Sequence, residues 1–439
     1  MMTQQQILSK LGVDALSAMQ TSASDAILQS MADVIILSPT GSGKTLAYLL
    51  PVVQLVDEND SQVQAVVIVP SRELALQSEK VLLSMGCGVR GMAVYGGRPA
   101  MDEHREMKKR APHILFATPG RLNDHIGKGN FSADLVRYLV IDEFDKCLNM
   151  GFRDEMEQAM NALPAVRRRI LLSATDANEI PRFVHVGSAV RLDYLDNDEA
   201  DERIKEYVLR SEEKDKLNTL LQLLCALGDD SSIVFLNYRD SVQRAESFLR
   251  QSGFVTSAYH GGMDQKQRED ALFKFRNGSA NILISTDLAS RGLDIPEVRH
   301  IIHYHLPLGE DEYVHRIGRT ARWKDTGDSF FILGPEEQLP VFVSSDIEEF
   351  TLPGQLPQPL PPKMATLYIG KGKKDKLSKG DIVGFLCKKG GLKSSEIGRI
   401  DITDRFTYVA VKYDKARSVI NQTKGEKIKG IKTLVEMVK

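Results

Sequence analysis

Short apolar runs alternate with longer amphipathic stretches over the first three-quarters of the chain. Runs at 33–38, 65–70, 113–117, 138–142 and 170–173 are rich in Val, Ile and Leu and too short for buried helices. Separated by helix-period segments, they predict strands of a parallel sheet covered on both faces. A second series at 232–236, 255–259, 281–285, 300–304 and 329–333 predicts another α/β lobe of similar size. The acidic stretch DYLDNDEADE (193–202) between the two series reads as a linker. The segment TLPGQLPQPLPP (351–362) ends the second series; so many prolines give an extended spacer. Beyond it, strands are predicted at 366–370, 397–402, 407–413 and 432–438, with helices at 379–389 and 415–423. That is a split-βαβ order, βαββαβ.

Composition narrows the class. The 439 residues, 42% hydrophobic and 26% charged, suit about three soluble domains. No apolar run reaches the ~18–20 residues that span a bilayer, and MMTQQQILSK has no secretory-signal pattern. Four scattered cysteines (Cys87, Cys147, Cys225, Cys387) form no CxxC pair, as expected of free thiols in a reducing cytoplasm. The net charge of −2 hides an asymmetry. From Lys363 onward there are 19 basic and 8 acidic residues, which leaves 38 basic and 51 acidic in the rest. A basic tail behind an acidic body points either to a polyanion partner or to a solvated lysine-rich surface.

The chemistry begins at Ser38-Pro39-Thr40-Gly41-Ser42-Gly43-Lys44-Thr45, after a predicted strand and before a helix. Ser38 stands where the phosphate-loop pattern has its first glycine; the remainder fits. Gly41 and Gly43 let backbone N–H groups close on phosphate oxygens beside a helix N-terminus. Lys44 can reach the terminal phosphates, and Thr45 can ligate Mg²⁺. Downstream, Tyr138-Leu139-Val140-Ile141 runs into Asp142-Glu143-Phe144-Asp145. A carboxylate at the end of a buried strand lies at the carboxyl edge of the sheet, beside such a loop. Asp142 is placed to hold Mg²⁺ through water and Glu143 to orient or deprotonate an attacking water.

Asp142-Glu143-Phe144-Asp145 resembles the Asp-Glu-Ala-Asp box of the DEAD-box RNA helicases. Other family motifs follow in order. Pro70-Ser71-Arg72-Glu73-Leu74 resembles PTREL, Gly96-Gly97 the GG doublet, Thr118-Pro119-Gly120-Arg121 TPGR and Ser173-Ala174-Thr175 SAT. In the second series, 285–294 (STDLASRGLD) resembles the motif ending RGxD, and 313–322 (YVHRIGRTAR) resembles YxHRxGRTxR. The ordered set over 7–345 is specific where one motif would be weak.

The resemblance implies two RecA-like parallel-sheet lobes in tandem (1–195 and 203–348), with ATP between them. It implies that Arg316 and Arg319 act as arginine fingers, a role suited to a permanently charged bidentate group. Asp294 would contact the ribose and Gln20 the adenine edge. Asp145, Ser173, Thr175 and His315 would couple hydrolysis to lobe movement; Arg322 is a weaker candidate. RNA backbone would lie against Arg72, Gly97, Thr118, Arg121, Arg268 and Thr286, contacts that give affinity without reading sequence. The implied action is local strand separation driven by ATP.

Three positions depart from the family. Phe144 replaces a small alanine. Ser17-Ala18 stands where the family has Pro-Thr before Gln20. No aromatic precedes Tyr48, where the family has one upstream of that glutamine.

After the spacer (349–362), residues 363–439 resemble the α+β, RRM-like RNA-binding domain of DbpA-type bacterial helicases. KLSKGDI (376–382), IGRIDI (397–402) and YVAV (408–411) carry the resemblance. It implies a large-subunit (23S) ribosomal RNA hairpin as partner, action on pre-50S particles, and a monomeric cytoplasmic enzyme. Tyr368 and Tyr408 are spaced for base stacking or for simple sheet support. Lys371, Lys373, Lys374 and Arg405 are candidates for phosphate contact. Two other readings stay open: an ATP-gated RNA clamp whose hydrolysis Phe144 has spoiled, and a DNA-directed motor on the same lobes.

Overall fold

The computed structural model describes residues 2–438 apart from 98–99, 150, 177–179, 196–203, 291–297, 321–325 and 344–346. Its contacts divide into two compact units: the first lobe, and the second lobe together with the C-terminal domain.

The first lobe is built on β1 (Asp33–Leu37), β2 (Ala65–Ile68), β3 (Gly91–Val94), β4 (Ile114–Ala117), β5 (Tyr138–Ile141), β6 (Arg168–Ser173) and β7 (Ala189–Asp193). All pair in parallel, in the order β3-β4-β2-β5-β6-β1-β7. Period-2 alternation sends Val34, Ile36 and Val67 to one core and Val66, Ile68, Leu115 and Ile141 to the other. Burying each such side chain contributes about 1.5–3 kcal/mol. The sheet has two strands beyond the predicted five. β3 is four residues opening on Gly91, and β7 is a half-exposed edge strand ending at Asp193, in the stretch read as linker.

The second lobe repeats the plan with β8 (Ile204–Arg210), β9 (Ser232–Phe235), β10 (Thr256–Tyr259), β11 (Ile282–Ser285), β12 (His300–His303), β13 (Gly327–Leu333) and β14 (Glu348–Glu349). Their order is β10-β11-β9-β12-β13-β8-β14, again parallel. β8 and β14 were not predicted. β8 (IKEYVLR) mixes polar and apolar residues without a regular period, and β14 beside it is a two-residue edge strand.

The C-terminal domain is an antiparallel sheet of β15 (Met364–Ile369), β16 (Ile397–Ile402), β17 (Thr407–Lys412) and, after the small hairpin β18 (Lys427–Ile428) and β19 (Ile431–Lys432), β20 (Val435–Met437). The order is β16-β17-β15-β20, with helices Lys379–Lys388 and Ala416–Thr423. Ala365, Leu367, Ile369, Val409 and Val411 face the domain's own core.

The alternate positions face the second lobe. Tyr408 packs on Phe273 of helix Gln265–Arg276, with ring centroids 4.4 Å apart, and its hydroxyl donates to Asp270. Thr366 Oγ1 accepts from Asn277 Nδ2 and donates to Ser279 Oγ, both at 2.8 Å. The Lys266 ammonium lies 5.7 Å from the Tyr368 ring centroid, and Lys363 pairs with Asp229 at 2.7 Å. The stacking expectation fails for Tyr408. Only 1% exposed, it cannot serve as a base platform in this packing.

Burial raises the Asp270 carboxyl to about 6, with Glu269 and Asp264 adding and Lys266 and Lys274 opposing. A raised carboxyl pKa favours the protonated form in the folded state. Its contribution is therefore full below the ordinary carboxylate range and is lost as pH rises through about 6. We expect Asp270→Asn, which keeps an acceptor for Tyr408, to raise the melting temperature by about 2–4 °C at pH 7.5 relative to wild type. The gain should shrink at pH 5; an equal shift at both pH values, read by calorimetry, would refute this.

Candidate nucleotide site and RNA face

Parallel strands bring every motif of the first lobe to one carboxyl edge. The phosphate loop follows β1, the acidic box β5 and Ser173-Ala174-Thr175 the end of β6, which are adjacent strands. Gly41 and Gly43 both have φ +87°, where a side chain is strained. A Cβ at Gly43 would also lie 2.4 Å from Gln20 Nε2. Gln20 Nε2 donates to the Gly43 carbonyl at 3.3 Å, and its Oε1 accepts from Ser17 N–H at 3.0 Å. Ser17 caps helix Ala18–Gln29, so the departure from Pro-Thr keeps a hydroxyl cap. Tyr48 is fully buried against Ser78 and offers no adenine-stacking face.

Lys44 heads helix Lys44–Leu55 and turns its ammonium inward, onto the carbonyls of Ser38 (2.6 Å) and Pro39 (2.9 Å). Burial lowers it to about 8, against the opposing charges of Asp142, Glu143 and Asp145. Burial and then the neighbouring Glu143 raise Asp142 to about 7, with Lys44 and Lys146 opposing. Glu143 holds a left-handed backbone, φ +53°, costly for a non-glycine residue and typical of functional sites. Its Oε1 lies 2.8 Å from Lys146 Nζ. Thr175 Oγ1 donates to Asp145 Oδ2 at 3.1 Å, and Ser173 Oγ donates to the Thr175 carbonyl at 2.6 Å. Phe144 is 2% exposed, in the apolar core beneath the box.

In the second lobe Arg316 lies on helix Glu310–Ile317 and is completely buried. Its Nε and Nη2 donate to Asp287 at 2.6 and 2.9 Å, Nη1 to the His305 carbonyl at 2.7 Å and Nη2 to Asn237 Oδ1 at 2.9 Å. The guanidinium also lies over the Phe235 ring. Turning this guanidinium to a phosphate, as the finger expectation requires, would break a buried bidentate pair. These bonds tie helix 310–317 to the loop after β11. Arg319 and His315 are buried in the same region. Asp294 and Arg322 lie outside the described residues.

Three family models match in order: DEAD/DEAH box helicase over 17–183, helicase conserved C-terminal domain over 215–324, and DbpA RNA binding domain over 366–437. The ATP-dependent RNA helicase DbpA of Escherichia coli is 35% identical, over 98% of this chain and 96% of that protein. The Bacillus subtilis protein of the same name is 30% identical, over 96% and 95%. The chain belongs to the DEAD-box ATP-dependent RNA helicases of the DbpA type. Among solved structures, Saccharomyces cerevisiae Dbp5 bound to RNA and ADP BeF3 matches with a TM-score of 0.69 and 26% identity, covering 76% of this chain and 87% of that one. Mss116p bound to single-stranded RNA and AMP-PNP gives 0.68 and 26%, covering 76% and 72%.

The helicase carries its RNA candidates on the other half of each sheet edge. Arg72 follows β2, Gly97 follows β3, and Thr118 and Arg121 follow β4, all on neighbouring strands. A Cβ at Gly97, φ +93°, would sit 2.5 Å from Arg72 Nη1, so the doublet lies directly on that guanidinium. Thr118 caps helix Pro119–Gly127, and Arg121 Nε donates to Glu103 at 2.7 Å. In the second lobe Arg268 Nη2 donates to the Gly261 carbonyl at 3.0 Å, and the Thr286 N–H faces the Tyr259 carbonyl at 3.4 Å. In the C-terminal domain, Lys373 N–H donates to the Thr403 carbonyl and Lys374 N–H to that of Asp404. This packing gathers Lys371, Lys373, Lys374 and Arg405 into one pair of loops; Lys371 also pairs with Asp375 at 3.2 Å. Sequence reasoning missed Glu103, Lys146, Asn237 and Asp287. Only the i,i+3 spacing of Lys146 from Glu143 gave a signal.

Proposed function

We propose that this helicase hydrolyses ATP on the first-lobe site to separate short RNA duplexes in large ribosomal subunit assembly, held on 23S ribosomal RNA by its C-terminal loops. The observation that carries the reading is the junction of the phosphate loop, the acidic box and Thr175 at one edge of a chain that ends in a DbpA RNA binding domain. Lys44 leaves the Ser38 and Pro39 carbonyls for the phosphates, Glu143 orients or deprotonates water, and Gln20 reads adenine from its anchored position. Asp145, Ser173 and Thr175 relay the state of the box. Thr45 and Asp142 offer the hard oxygens magnesium prefers, though the described residues hold no cluster of three His, Cys, Asp or Glu side chains able to build a cage. Bound with ATP, the ion would neutralise developing phosphate charge. With Phe144 packed in the core and all three box carboxylates kept, a hydrolysing enzyme is favoured over the clamp.

Among the described residues no helix is long and apolar enough to cross a membrane, and all four cysteines are free thiols. These features fit a cytoplasmic enzyme, which we propose acts as a monomer on pre-50S particles. Removing the C-terminal domain would uncover Phe273, so charge reversal tests the tether more cleanly than truncation. We expect Lys373→Glu, Lys374→Glu and Arg405→Glu together to abolish preference for large-subunit over generic RNA in RNA-stimulated ATPase assays. Retained preference would refute tethering by these loops.

A further inference from the structure

Glu103 lies on helix Ala100–Arg110, outside every motif named so far, and its side chain is fully buried. A buried carboxylate is costly unless each oxygen is matched by donors. Here three converge from two segments, helix Pro119–Gly127 and the end of β3. Arg121 Nε donates to Oε2 at 2.7 Å, and His125 Nε2 lies 3.1 Å from the same oxygen. The Tyr95 N–H, immediately before the glycine doublet, donates to Oε1 at 3.3 Å. Asn130 Nδ2 lies 2.7 Å from His125 Nδ1, an arrangement that leaves Nε2–H as the donor to Glu103. Burial works against the ionised form, yet the bonds from His125, Arg121 and Tyr95 hold the carboxyl below its usual range. Arg121 itself is only 11% exposed and has a second, longer contact to Asp124 at 3.4 Å.

We propose that Glu103 is a positioning residue for RNA. It fixes the Arg121 guanidinium and the strand end leading to Gly96-Gly97 in one geometry, so the first-lobe RNA face is formed before RNA arrives. This rests on the reading that Arg121 and Gly97 meet the RNA backbone. Arg72 lies against Gly97, and Glu103 holds the N–H of Tyr95, the residue before the doublet, so charged groups of opposite sign fix the doublet and the strand end that leads to it. Preorganisation of this kind acts on affinity, because a flexible arginine must be ordered when the phosphate binds.

The test uses the full chain, a generic single-stranded RNA and ATPase rates. Glu103→Gln keeps the size but presents an amide N–H₂ to a ring of donors. It should raise the RNA concentration for half-maximal ATPase about tenfold while kcat at saturating RNA stays within about twofold. The slope of log affinity against log salt should fall by about 0.7, the loss of one phosphate contact on single-stranded RNA. Glu103→Asp keeps the charge but withdraws it from Arg121; it should give the same split and serves if the glutamine variant folds poorly. Adding Glu103→Gln to Arg121→Gln should cost little more than Arg121→Gln alone. If Arg121→Gln leaves RNA dependence unchanged, the reading of the RNA face is wrong and the proposal falls with it. If Arg121→Gln weakens RNA binding but the Glu103 variants do not, or the two losses simply add, the positioning role alone is overturned.

Discussion

Glu143→Gln is expected to lower single-turnover ATP hydrolysis by about 10²–10⁴-fold, the range of a lost general base, while ATP and RNA still bind. The glutamine is isosteric, and the strained backbone at Glu143 is set by the turn out of β5, not by the carboxylate. Lys44, Thr45 and Asp142 are untouched, so nucleotide affinity persists. The carboxylate's partner, Lys146, sits three residues on in the same turn and keeps its place. Rapid-quench hydrolysis alongside equilibrium binding of a fluorescent ATP analogue checks this. Near wild-type turnover would move the base elsewhere. Lost ATP binding would mean that Glu143 holds the loop instead of acting on water.

Arg316→Ala is expected to destabilise the second lobe by about 3–5 kcal/mol, the usual cost of leaving one member of a buried ion pair without its partner. The variant removes the two-pronged donor from the Asp287 carboxylate and donors from Asn237 Oδ1 and the His305 carbonyl. Arg316→Lys should recover only part of the loss, because an ammonium cannot reproduce the two-pronged contact to Asp287. An arginine finger behaves oppositely: hydrolysis collapses while stability is unchanged. Urea unfolding followed by second-lobe fluorescence separates the two outcomes. Unchanged unfolding with lost hydrolysis would assign the finger role to Arg316 and refute its stabilising one.

The partners of Arg316 show where sequence reasoning stops. Gly41 and Gly43 were legible because left-handed backbone beside a phosphate demands glycine at fixed spacing. The acidic box was legible because a buried apolar strand ending in carboxylates puts them at a sheet edge. Arg316 and Arg319, three residues apart, looked alike along the chain. Both are buried, and the partner that ties Arg316 down, Asp287, lies 29 residues away in sequence. The strand alternation around Tyr368 and Tyr408 correctly separates two faces of the C-terminal sheet. It does not say whether RNA or protein covers the second face, and Phe273 covers Tyr408. Edge strands were missed for a similar reason: β7 and β14 are too exposed or too short to carry a hydrophobic pattern. Glu103 was silent because its partners come from two other segments, the end of β3 and helix Pro119–Gly127, that only the fold brings to it.

The central claim is that RNA, and large-subunit ribosomal RNA above all, switches on ATP hydrolysis. The decisive measurement is steady-state ATPase with no RNA, with generic single-stranded RNA and with a large-subunit ribosomal RNA fragment, at fixed salt. The account predicts slow hydrolysis alone, weak stimulation by generic RNA and strong stimulation by the ribosomal fragment. Equal stimulation by both RNAs would contradict the tether, and hydrolysis indifferent to every RNA would contradict the account as a whole.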